Sequence, residues 1–175
     1  ANIVNALKIR SEDPNKIINV LLDGDDYLIA DDVLDLILFT YLKTNCLLTY
    51  GSYIRESDGK YFSQKYTFRS INKNEYRKLP FLGSHLKTFR HDLYLNINQN
   101  DFRDENGNIY KISDDIAFML PMLEMAGFRQ ELIADPLYIY NDLNPINDHK
   151  LNLKEQTLID QKIRSKKSYP KINLP

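Results

Sequence analysis

Residues 17–22, IINVLL, are almost wholly apolar, and the run stops abruptly at Asp23-Gly24-Asp25-Asp26. Its shortness and its branched side chains read as a strand covered on both faces rather than as a helix. Such a strand needs a sheet around it and helices over it, and the next residues supply both. Residues 30–41 have helical spacing, with Asp31 or Asp32 as cap and Val33, Leu34, Ile37, Leu38 and Tyr41 as the expected buried stripe. Residues 47–54 then read as a second strand, broken only by Gly51. Strand, helix, strand is the repeating unit of an α/β sheet.

The remaining elements fit around that unit. Residues 1–10 read as a helix stopped by Asp13-Pro14, and Ser57-Asp58-Gly59-Lys60 as a turn. Residues 61–79 have no clean period and read as an irregular connector with one edge strand. Residues 86–95, LKTFRHDLYL, read as a short helix with Phe89 and Leu93 on one face, followed by a turn at residues 104–108. The strongest helix is residues 114–126, DDIAFMLPMLEMA, apolar nearly all round and therefore deeply buried. Ser113 is its expected cap, Asp114 and Asp115 complement its positive end, and Gly127 closes it. Two short strands, FRQELIA and LYIYN, are expected on either side of Asp135-Pro136. A tail helix is expected over residues 153–163, with a loosely held, lysine-rich end.

At 175 residues the chain can bury roughly 70% of its extended surface, enough for a hydrophobic core. The 23 basic and 24 acidic side chains leave a net charge of −1, which removes the broad positive field of a general nucleic-acid binder. The single cysteine, Cys46, excludes an intrachain disulfide framework and reads as a small buried hydrophobe. No apolar run approaches the ~18 residues of a membrane span, and the expected compartment is the cytoplasm. Walker, GxGxxG, serine-elbow and HExxH patterns are absent.

The chemistry therefore rests on polar groups at the ends of buried elements. Acidic residues beyond a buried strand occupy the crevice where α/β sheets bind ligands. Three carboxylates in four residues repel one another, and a divalent cation relieves that repulsion. In an extended loop Asp23 and Asp25 point the same way, and Gly24 permits a tight turn or a close ligand. A hard cation held by one or two carboxylates keeps positions open for phosphate oxygens. Asp114 and Asp115, at the mouth of a buried helix, are candidate proton acceptors, and their spacing does not choose between them. His149, in a loop rich in Asn and Asp, is a candidate ligand for the same cation. Ser84 and His85, read as lying at a helix start, are candidates to bind a phosphate or sugar hydroxyl. Arg69, Arg77, Lys78 and Arg90 form a basic middle region that either neutralises a diphosphate or solvates a face.

Five segments together resemble the later part of a family 2 glycosyltransferase domain. They are VLLDGDDYL (residues 20–28), LTYGSYI (48–54), GSHLKTFRHDLY (83–94), DDIAFMLPMLEMAG (114–127) and YIYNDLNPINDHK (138–150). The resemblance implies an α/β, GT-A-like mixed sheet with flanking helices over residues 1–150, followed by a tail extension over residues 151–175. It implies that Asp23 and Asp25 hold Mn²⁺ or Mg²⁺ for a nucleotide-sugar donor, UDP-linked by expectation, with His149 completing the metal shell. It further implies that Asp115, with Asp114 beside it, is the base in an inverting transfer to a carbohydrate or other hydroxyl acceptor. The nucleoside-binding strands that open such domains have no counterpart here, so a preceding segment or a second chain is expected to complete the sheet. The alternatives are a degenerate domain serving as a binding or assembly module and a metal-dependent nucleotidyltransferase.

Overall fold

The computed structural model describes residues 2–8, 13–110, 113–145 and 153–175, apart from the side chains of Asn2 and Asp114. In chain order the elements are helix α1 (Asn2–Ala6), strands β1 (Ile18–Leu21) and β2 (Tyr27–Leu28), and helix α2 (Val33–Thr44). Strands β3 (Leu48–Arg55) and β4 (Tyr61–Phe62), helix α3 (Phe68–Asn72), strand β5 (Lys87–Arg90) and helix α4 (His91–Leu95) follow. Helix α5 (Asp114–Ala126), strand β6 (Gln130–Tyr140) and helix α6 (Leu153–Ser165) complete the set.

The strands form one mixed sheet in the order β1-β5-β3-β6-β2, with β4 paired to β3. Only β3 and β6 run parallel, and the other pairings are antiparallel. Alternation along β1 sends Ile18 and Val20 to one face and Leu21 to the other. The first face packs on Val33, Ile37 and Tyr41 of α2, and the second on the apolar length of α5 through Tyr50, Phe89, Phe118 and Leu120. The architecture is thus α/β, as the strand–helix–strand reading implied, and the sheet is mixed and flanked by helices.

Four details differ from expectation. Residues 86–95 are not one helix: β5 occupies the first part, wedged between β1 and β3, and only α4 is helical. β6 is one strand rather than two. Tyr50 pairs with Leu132 and Ser52 with Pro136, so β6 bulges here and Pro136 sits in the irregular stretch, where its missing N–H is tolerated. Side chains satisfy the bulge carbonyls: Ser52 Oγ donates to Ile133 O at 3.0 Å, and the Tyr61 hydroxyl donates to Ala134 O. On α2, Leu34 and Leu38 are exposed, because Val33, Ile37 and Tyr41, four residues apart and flanked by the partly buried Leu36, form the face on the sheet. The end of the chain is docked rather than loose. Ile172 N bonds Met125 O at 3.0 Å, Asn74 Nδ2 donates to Tyr169 O at 2.9 Å, and Arg90 Nη1 donates to Pro175 O at 2.6 Å.

No helix among the described residues is long and apolar enough to cross a membrane. Cys46 is buried, and burial raises its thiol pKa, as expected of an inert packing residue.

Seven of the twelve tyrosines are buried, so the core carries an unusual load of phenols. Burial pushes Tyr50 up to about 12 and raises Tyr41, Tyr76 and Tyr138 as well. A folded pKa above the unfolded value keeps its stabilisation below the unfolded value, near 10, and loses it as pH rises beyond. The contribution of these tyrosines to stability is therefore expected to be constant up to about pH 10 and to fall steeply above it. Phenolate absorbance should rise in two stages, the second coinciding with loss of circular dichroism. A single titration of all tyrosines near pH 10 with the fold intact would contradict this account.

Candidate functional site

The site forms where β1 runs out. Pairing between β1 and β5 sets Leu21 opposite Lys87, and the same register carried two residues further sets Asp23 opposite His85. Backbone packing fixes the approach to His85. Leu82 N donates to the buried Tyr66 hydroxyl at 2.9 Å, and Gly51 N donates to Ser84 O at 3.3 Å. A Cβ on Gly51 would lie 2.8 Å from Leu86 N and 3.1 Å from His85 O, so only glycine lets β3 pass this close. Ser84 and His85 therefore sit in a segment entering a strand, not at a helix start.

The acidic residues do not lie in an extended loop. Asp26 N bonds Asp23 O at 3.2 Å, which closes a turn with Gly24 and Asp25 at its corner. A turn brings its first and fourth residues together rather than alternate ones, and Asp23 and Asp26 accordingly converge on His85. Each offers a ligand atom, and these three atoms lie within 4.8 Å of one another. Asp25 points to the other side, its Oδ2 accepting from Asn144 Nδ2 at 2.6 Å. His149 lies outside the described residues.

The members of this group differ in environment. Asp26 is half-buried and accepts from the Tyr138 hydroxyl and from Asn141 N at 2.7 Å. Burial raises its pKa, against the lowering effect of those bonds. His85 stacks on Tyr138 and Tyr140, with ring centroids 4.6 and 5.6 Å away, and meets the edge of Tyr53 at 5.7 Å. Burial, helped by the Lys87 ammonium, pushes its pKa well down, so the ring is neutral at pH 7. His85 Nδ1 is buried, has no hydrogen-bond partner, and lies 3.8 Å from Asp23 Oδ2. An orphaned imidazole nitrogen beside two carboxylates is a donor set that suits Mn²⁺ or another borderline divalent ion. The residues present could therefore hold a metal ion, with Asp26 rather than Asp25 beside Asp23 and with His85 as the nitrogen donor among the described residues.

Asp115 enters from the facing helix. Its Oδ2 accepts from Lys87 Nζ at 3.3 Å and its Oδ1 from Ile116 N at 2.8 Å, and a third of its side chain stays exposed. Lys87 is itself buried, with only 5% of its side chain exposed. Lys87, two residues beyond His85 in the chain and close enough to lower its pKa, is the residue that pairs with Asp115. The Asp114 carboxylate lies outside the described residues, and Ser113 makes no side-chain cap. The basic middle region is largely engaged elsewhere: Arg77 pairs with Glu124 and Arg90 with Asp92. Sequence reasoning missed Asp26, Lys87 and the tyrosines around His85. With residues 86–95 read as a helix, the Leu21–Lys87 register that places His85 opposite Asp23 had no signal in the sequence.

The chain matches no protein-family model and no curated protein.

Proposed function

We propose that this protein transfers a sugar from a nucleoside diphosphate, UDP by expectation, to an acceptor hydroxyl with inversion, on a GT-A-like sheet. The observation that carries the reading is the neutral, unpartnered His85 nitrogen facing Asp23 and Asp26, two residues along the chain from the Lys87 that pairs with Asp115. The segments that resemble family 2 glycosyltransferases contribute every one of these residues.

In this reading Asp23, Asp26 and His85 hold Mn²⁺ or Mg²⁺. The bound ion supplies neutralisation of the leaving diphosphate. Asp115 accepts the proton of the acceptor hydroxyl as that oxygen bonds to the anomeric carbon and the diphosphate departs with the bonding electrons. Lys87 holds the Asp115 carboxylate by the Oδ2 contact, and the Ile116 N–H fixes the other oxygen, which orients the base.

Calorimetry of the full-length protein with UDP is expected to show binding that requires Mn²⁺. Asp23→Ala should weaken it by at least about tenfold, the least expected of a lost direct ligand. A parallel assay should release nucleoside diphosphate from one of a panel of nucleotide-sugars. UDP binding indifferent to Mn²⁺, or cleavage of nucleoside triphosphates in place of nucleotide-sugars, overturns the reading.

A further inference from the structure

The segment that delivers His85 also walls a cavity of about 410 Å³, bounded by β3, β4 and the loop over residues 81–84. That volume falls in the range of small-molecule sites. Its aromatic walls include Tyr53, Tyr61 and Phe81, and its polar groups include Lys60, Gln64 and Ser84. Tyr53 belongs to both places, touching His85 edge-on at 5.7 Å. The cavity and the carboxylate–histidine group therefore share a wall.

We infer that this cavity binds a sugar ring, the acceptor of the proposed transfer. The argument is chemical. A pyranose has an apolar C–H face and a rim of hydroxyls, so it needs an uncovered aromatic plane next to hydrogen-bonding groups. Tyr61 supplies the plane: it is half-exposed, its hydroxyl is anchored on Ala134 O, and among the described residues no other ring stacks on it. Phe81 supplies a second ring, packed beside Gly83. Gln64, Lys60 and Ser84 supply the rim. An alkyl chain would leave these polar groups unpaired, at a cost. A basic peptide would look for carboxylates, and none line the cavity.

The role as acceptor site rests on the transferase reading, but the binding itself does not, and the test separates them. Saturation-transfer NMR on the full-length protein, without metal or nucleotide, would use methyl β-glucoside, methyl β-galactoside, N-acetylglucosamine and glucuronate as probes, with octanoate as the alkyl comparison. At least one sugar is expected to bind, and Tyr61→Leu and Gln64→Ala should each weaken it by about tenfold. Gln64 is exposed, so melting temperature should hold in Gln64→Ala. Tyr61→Leu also gives up the bond to the exposed Ala134 and should lower it only slightly. Mn²⁺-dependent UDP binding should stay unchanged in both variants. If no sugar binds, if octanoate binds in their place, or if neither variant affects the sugar, the assignment is overturned. If sugars bind as expected while UDP does not, the cavity stands as a carbohydrate site and the transferase reading alone falls.

Discussion

Asp115→Asn is expected to lower sugar-transfer turnover by about 10²–10⁴-fold, the usual contribution of a positioned general base, while Mn²⁺-dependent UDP affinity changes by less than about threefold. The asymmetry follows from where Asp115 sits. It is absent from the Asp23, Asp26 and His85 group, so removing its charge leaves the donor's ligands in place. Its carboxylate is held at both oxygens, one by Lys87 and the other by Ile116 N. Asparagine keeps a carbonyl oxygen of the same reach, so the buried Lys87 ammonium retains an acceptor and the fold should survive. What asparagine cannot do is take a proton. Lys87→Met is the companion variant: it preserves the carboxylate but releases its orientation, and should lower kcat more than it alters KM. Full turnover in Asp115→Asn would remove Asp115 from the reaction and pass the role to Asp114, whose own asparagine variant would then carry the loss.

How much of this was legible in the sequence depended on the length of each signal. α5 begins and ends where its acidic start and Gly127 placed it, because the unbroken apolar run over residues 116–123 leaves no competing period. β1 and β3 were equally plain, being apolar runs bounded by turn residues. β5 was not, because four residues hold too few alternations to identify a strand. Phe89 and Leu93, four apart, imitate a helix face across the junction with α4. Pairing on both sides decided the matter, and tertiary context of that kind is invisible to local pattern. The break proposed at Asp135-Pro136 failed for a related reason: proline excludes a regular central ladder but not a bulge, and β6 bulges there.

The site was legible by residue type and position in the chain, less so by geometry. The acidic group at the end of β1, the acid at the start of α5 and His85 were all singled out before any coordinates. Pairing Asp23 with Asp25 assumed an extended loop, and the turn that closes on Asp26 N instead makes Asp23 and Asp26 neighbours. In the basic middle region Arg77 and Arg90, which the sequence left either to a diphosphate or to a solvated face, are consumed by internal pairs with Glu124 and Asp92. A sequence shows where charges are but not which of them are already neutralised.

The Arg77–Glu124 pair carries the largest expected effect on stability. Glu124 is fully buried and Arg77 nearly so, at 0% and 8% side-chain exposure. The guanidinium donates through Nε to Oε1 at 2.6 Å and through Nη2 to Oε2 at 2.9 Å, while Nη1 reaches Ile163 O at 2.6 Å. Glu124 Oε2 also accepts from Tyr169 N at 2.9 Å. One charge pair thus joins α5 to the turn at Tyr76–Lys78, to α6 and to the docked tail. Glu124→Gln keeps the volume but leaves a buried cation without its counter-charge, and should cost about 3–5 kcal/mol. In a chain of this size that is a fall of roughly 10 °C or more in melting temperature. Replacing both residues by leucine removes the stranded charge and should recover much of the loss, but not all of it. Ile163 O and Tyr169 N would still lack partners, which leaves a deficit of about 1–3 kcal/mol. A loss below about 1 kcal/mol in Glu124→Gln would mean that water or a neighbouring group takes over the guanidinium, and that the pair does not hold α5 in place. If the loss is as large as expected, the position of Asp115 depends on it too, because Asp115 sits in the first turn of the same helix that Glu124 anchors near its far end.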